Sequence, residues 1–113
     1  MSDHYSLHRV REMADNDEDF VAALVEAFLE EVPEDAERLK NAVAQKDYAE
    51  AYQAAHKMKP TVDLFELGVL DTLIVVQDWG KFEQKDKNVE QELAIVLKAV
   101  EDTVSDLKND FGL

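Results

Sequence analysis

His4, His8 and His56 are the three side chains in this 113-residue chain best suited to chemistry near neutral pH. A histidine of ordinary pKa, about 6.5, is largely neutral and nucleophilic at pH 7. His4 and His8 stand four apart, a spacing that could bring two imidazoles to one metal. No third ligand stands near them in the sequence, so an exposed and inert pair is expected, with no metal site. His56 differs, because Lys57 follows it and Lys59 and Pro60 stand about one turn on. Around it, Tyr48, Ala51, Ala55, Met58, Val62 and Phe65 form an apolar stripe at helical spacing. At ~100° per residue, His56 falls roughly 130° from the centre of that stripe and is predicted to face solvent. Ala49, Tyr52, Gln53, Lys59, Pro60 and Asp63 fall on the same side. A neutral imidazole one turn from a cation could accept a phosphoryl group. The plainer alternative is an exposed histidine that does nothing. Pro60 removes the helical hydrogen bond to the carbonyl of His56, at a cost of about 3 kcal/mol in a helix interior. It is expected either as a tolerated kink or as a helix break.

Composition excludes much other chemistry. Without cysteine there is no disulfide, no thiol nucleophile and no cysteine-based zinc site. Three scattered glycines cannot form a phosphate-cradling loop, so no ATP or dinucleotide site is expected. Ser2, Ser6 and Ser105 have no nucleophile-elbow context. No Glu-x-x-His pair suggests a di-iron bundle. Twenty-six acidic against 12 basic residues leave a net charge of −14, which argues against nucleic acid and anionic lipid as partners. The acidic runs 15–19 and 30–37 are expected to be solvated faces. No apolar run approaches the ~20 residues of a membrane span, and no signal segment opens the chain, so a cytoplasmic protein is expected. Met1 and the short tail point to a free-standing chain.

The elements that must position His56 are helices. Asp15 and Glu18 have capping-box spacing, and Phe20, Ala23/Leu24 and Ala27/Phe28 continue as a stripe. This predicts a helix from about Asp17 to Val32. Pro33 is expected to kink it or to start a new helix, with Ala36, Leu39 and Val43 carrying the stripe to about Gln45. Asp47 and Glu50 cap the His56 helix, and Gly68 is its expected terminator. A shorter segment, Val69 to Trp79, ends at Gly80, with Trp79 as a core or cap residue. Lys81 to Lys87 read as a loop, and Asn88 with Gln91 as a third cap. Leu93, Leu97, Val100, Val104, Leu107 and Phe111 form a narrow seam on the last helix. Leu7, Val10 and Met13 suggest a short N-terminal helix. The expected fold is all-α: an antiparallel up-and-down four-helix bundle with a short extra N-terminal helix, residues 1–113 forming a single domain.

The run Ala55-His56-Lys57-Met58-Lys59-Pro60-Thr61-Val62-Asp63-Leu64-Phe65 resembles the signature of histidine-containing phosphotransfer (HPt) domains. His56, Met58, Lys59, Val62 and Phe65 fall in register with it. The upstream run Phe20 to Leu39, the Asp47 turn and Gln77 are also similar to the family. The resemblance implies a phosphorelay carrier with no kinase activity of its own. His56 would accept a phosphoryl group on Nε2 from a receiver-domain aspartyl phosphate and pass it to another receiver. Lys59, Lys57 and Gln77 would support the phosphate, and Pro60, Gln53 and Ala49 would belong to the docking surface. The implied partners are response-regulator receiver domains and a hybrid histidine kinase, met by a monomer. No cofactor is implied, since any Mg²⁺ would be the receiver's. Two departures stand out. The family usually has glycine where Pro60 stands, and Asp63 and Glu66 occupy places where small residues are common. Asp63, about two turns from His56, would mildly disfavour a phosphate. The competing expectation is a non-catalytic acidic helical adaptor that binds a partner without phosphotransfer.

Overall fold

In the computed structural model, which describes residues 4–113, the chain forms five helices, with no strand among the described residues. The short helix α1 (His8–Met13) precedes four longer ones: α2 (Glu18–Gln45), α3 (Tyr48–Leu64), α4 (Leu70–Lys81) and α5 (Glu90–Phe111). The all-helical class and the short N-terminal helix follow the periodicity. Several local expectations do not.

Asp17, rather than Asp15, caps α2, its carboxylate accepting from the backbone N–H groups of Asp19 and Phe20. Asp15 and Asn16 instead make the turn before it, with φ of +51° and +59°. The buried stripe of α2 lies one residue on from the expected one. Val21, Val25, Phe28 and Val32 are buried, whereas Phe20 is 46% exposed. The reason is continuity. The stripe through Val21 runs on through Ala36, Leu39 and Val43, and the stripe through Phe20 does not. Pro33 neither ends α2 nor starts a new helix, because the single bond it forfeits is offset by buried residues on both sides.

Asp47 caps α3 as expected, accepting from the N–H of Glu50 at 3.2 Å. Pro60 lies inside α3 without breaking it. The helix ends at Leu64, four residues before the expected terminator, Gly68. Glu66 takes the left-handed conformation at φ +53°, and Leu67 N–H reaches back to the Val62 carbonyl. Gly80 lies within α4 instead of ending it. A Cβ there would stand 2.6 Å from the Tyr48 carbonyl oxygen and 2.7 Å from the Tyr52 nitrogen. Glycine is therefore what lets α4 lie directly on the first turns of α3. Trp79 is buried beside it, and its indole N–H donates to the Lys87 carbonyl, tying down the loop after α4.

α5 buries Leu93, Val96, Val100, Thr103 and Leu107. Leu97, Val104 and Phe111, expected in the seam, are only half-buried. The seam is broader than predicted because α5 packs on both α2 and α4. Thr103 holds a core position because its hydroxyl donates to the His4 carbonyl. α3 in turn packs against α2 and α4, which leaves a third side open to solvent. Phe28 and Phe65 meet in the core with ring centroids 4.8 Å apart.

Candidate functional site

Ala51, Ala54, Ala55, Met58 and Val62 turn inward along α3 and fix its rotation. That rotation exposes Ala49, Gln53, His56, Lys57 and Pro60. Ala49, Gln53, His56 and Pro60 recur at three- and four-residue steps and so share one face. The Tyr52 ring stacks on the imidazole of His56, with centroids 5.6 Å apart and planes inclined by 26°. The stacking restricts the ring while leaving its edge to solvent. Beside His56 lies a shallow depression of about 180 Å³, lined by His56, Lys59, Pro60, Asp63 and Leu70.

The two lysines flanking His56 are differently employed. Lys59 lines the depression, is half-buried, and has no ion pair among the described residues. Lys57 extends towards α2, its Nζ 3.2 Å from Asp35. Asp35 is 3% exposed, so one acid of the 30–37 run is a core residue and not part of a solvated face. Arg38 also reaches Asp35, at 3.4 Å, and forks onto both carboxylate oxygens of Glu50 at 2.8 and 3.1 Å. The fork holds the Glu50 carboxyl below its ordinary range and raises Arg38 above its own. Sequence reading missed Asp35, although a signal was present. It lies three residues after Val32 and four before Leu39, within the apolar stripe.

Gln77 is buried in α4, and its side-chain Oε1 has no hydrogen-bond partner among the described residues. It is not among the residues lining the depression at His56. A second depression, of about 310 Å³, shares Asp63 and Leu70 with the first and brings in Arg9 from α1. Arg9 Nη1 stands 3.0 Å from the Asp63 carboxylate and also donates to the Asp63 carbonyl at 3.0 Å. The hydrogen bond to the Asp63 carboxylate raises the guanidinium above its ordinary range. No local pattern pairs two residues so distant in sequence. At the other end of the exposed face, a depression of about 510 Å³ lies between Tyr48, Ala49 and Tyr52 of α3 and Gly80 and Lys81 of α4.

His4 and His8 are drawn to different carboxylates. His4 Nδ1 lies 2.5 Å from Asp106, and His8 Nε2 lies 2.7 Å from Glu12 in its own helix. Among the described residues no three His, Asp or Glu side chains are grouped as metal ligands would be. No described helix is long and apolar enough to cross a membrane.

A family model for the Hpt domain matches residues 23–74. The matched segment contains His56, Lys57, Lys59, Pro60, Gln53 and Ala49, and excludes Arg9 and Gln77. No curated protein and no solved structure matches the chain.

Proposed function

Residues 23–74 belong to the Hpt domain family, whose members are phosphorelay carriers, and from that premise we propose that His56 is the phosphoryl acceptor of this chain. The observation that carries the reading is the exposed imidazole of His56, restrained by Tyr52 and sharing a depression with Lys59, which has no ion pair among the described residues. A convex, exposed position is what a histidine needs to enter the cleft of a receiver domain. In the transfer, Nε2 of His56 attacks the phosphorus of a receiver aspartyl phosphate. The Nε2–P bond forms as the aspartyl O–P bond breaks. The carboxylate leaves, and the imidazole releases its remaining ring proton to solvent. Reversal onto a second receiver passes the group on. Such transfer depends on in-line positioning and charge neutralisation more than on covalent assistance.

Lys59 is the cation best supplied to the phosphoryl oxygens. Lys57 contributes field from further off, since Asp35 already engages it. Gln77, which the resemblance would set beside the phosphate, is buried and does not line the depression at His56, so it gives this reading no support. Ala49, Gln53 and Pro60 are exposed on the His56 face and form the docking surface in this reading. The partners are response-regulator receivers and a hybrid histidine kinase, any Mg²⁺ being the receiver's. The chain acts as a cytoplasmic monomer without kinase activity of its own. The short links between long helices support one antiparallel up-and-down bundle spanning the chain.

Incubation with a ³²P-labelled phospho-receiver tests the reading. The wild-type chain takes up acid-labile, base-stable label and His56→Gln takes up none. An adaptor that only docks would bind the receiver equally well with either residue and accept no label.

A further inference from the structure

Asp63 poses an electrostatic problem for a phosphoryl group on His56. Seven residues along a helix amount to about 10 Å, and the two side chains project from nearly the same side of α3. Both line the same depression. A carboxylate there repels a dianionic phosphoryl group, and the repulsion is strongest at low ionic strength. The chain is already strongly acidic, at −14.

The structure brings one cation to that carboxylate from outside the family-matched segment. Arg9 is held there by the anchoring of the N-terminal segment. Val10, next to it, is fully buried. The Ser6 N–H donates to the Phe65 carbonyl at 2.9 Å, and the Tyr5 hydroxyl donates to Asp110 at 2.5 Å. These contacts deliver the guanidinium to both the carboxylate and the backbone carbonyl of Asp63.

We propose that Arg9 of α1 is a positioning residue for phosphotransfer: by neutralising Asp63 it removes a negative charge from the approach to His56. The inference rests on His56 as the phosphoryl acceptor. Arg9 touches neither the imidazole nor the phosphoryl group and acts only through Asp63. α1 is then part of the relay site, whereas the family-matched segment alone carries Asp63 without its counter-charge.

The test compares wild type, Arg9→Gln, Asp63→Asn and the double variant, with two donors. The first donor is phosphoramidate, an anion that phosphorylates histidine directly. The Nε2–P bond forms as the donor's P–N bond breaks, and the departing ammonia takes up the proton the imidazole releases. The reaction is followed at the His56 ring by NMR, so label on His4 or His8 is not counted. The second donor is a phosphorylated receiver domain. At low salt, Arg9→Gln slows phosphorylation of His56 roughly threefold, the scale of one unscreened charge at this distance in water. The deficit fades by about 0.5 M salt, where the Debye length is only a few ångströms. Asp63→Asn alone is at least as fast as wild type, and adding it to Arg9→Gln restores the rate. A purely structural role for Arg9 predicts a loss that Asp63→Asn does not rescue and salt does not erase. That result, or no effect of Arg9→Gln at low salt, overturns the proposal. Failure of the wild type to accept from any receiver, with phosphoramidate labelling intact, would instead overturn the carrier reading and leave the charge test readable.

Discussion

Two ion-paired regions flank the exposed face of α3, and they differ in burial. On the α2 side, Asp35 has a side chain 5% exposed and is shared by Arg38 and Lys57. On the α1 side, Arg9 and Asp63 pair with side chains 45% and 47% exposed. The chemistry of the groups is similar. The consequences differ, because a buried carboxylate that loses its cationic partners is left desolvated and uncompensated. An exposed pair is screened and contributes little to stability. The α2 flank therefore holds the bundle together and draws Lys57 away from His56. The α1 flank holds little together, and under the proposed role of His56 its worth lies in the charge it removes from beside that ring.

The largest effect is expected from unseating the first turns of α3, on which α4 packs. Gly80→Ala forces a methyl group against backbone atoms of Tyr48 and Tyr52, which cannot swing aside as a side-chain tip would. A loss of about 2–3 kcal/mol is expected in urea unfolding, the upper range for overpacking. Asp35→Ala separates the flanks. It is expected to cost about 2 kcal/mol, discounted from a fully buried pair because Arg38 and Lys57 remain partly hydrated. Phosphorylation of His56 should persist, since Lys57 is freed rather than lost. An Asp35→Ala protein as stable as wild type would mean that the two flanks do not differ in stabilising weight.

The anchoring of the α1 flank has a pH signature. Burial first, and then the hydrogen bond to Asp110, hold the Tyr5 hydroxyl well above the ordinary tyrosine range. A raised pKa contributes stability that is fully present below the unfolded value, about 10. That contribution is lost as pH climbs from there towards the folded value. Wild type should therefore exceed Tyr5→Phe in melting temperature through neutral pH, and the gap should close above about pH 10. A gap independent of pH would remove the Tyr5–Asp110 bond from the account. The smallest effect is expected from Arg9→Gln on stability. Its urea midpoint should stay close to wild type, in contrast to its effect on phosphorylation at low salt.

Much of this was legible in the sequence, for a physical reason. The exposure of His56 follows from the angle between it and a stripe of five buried positions on α3, and a helix makes such angles reliable. The Asp47 cap follows likewise from local hydrogen-bonding capacity. Phe20 departs from expectation because a continuous apolar stripe, and not the size of one residue, sets which face of α2 is buried. The seam of α5 departs from it because α5 packs on two neighbours. Asp35 was misread because its neighbours in sequence are acids, while its neighbours in space are Arg38 and Lys57. The Arg9–Asp63 pair had no signal in the sequence, because tertiary packing alone brings α1 to the end of α3.

In the proposed relay, one imidazole of three carries the phosphoryl group. The most direct measurement is ¹H–¹⁵N NMR of the histidine rings before and after incubation with a phosphorylated receiver domain. The account predicts that the His56 ring alone changes to the pattern of an Nε2-phosphorylated imidazole, with His4 and His8 unmoved. A change at His4 or His8, or no change at any ring while the receiver binds, would contradict it.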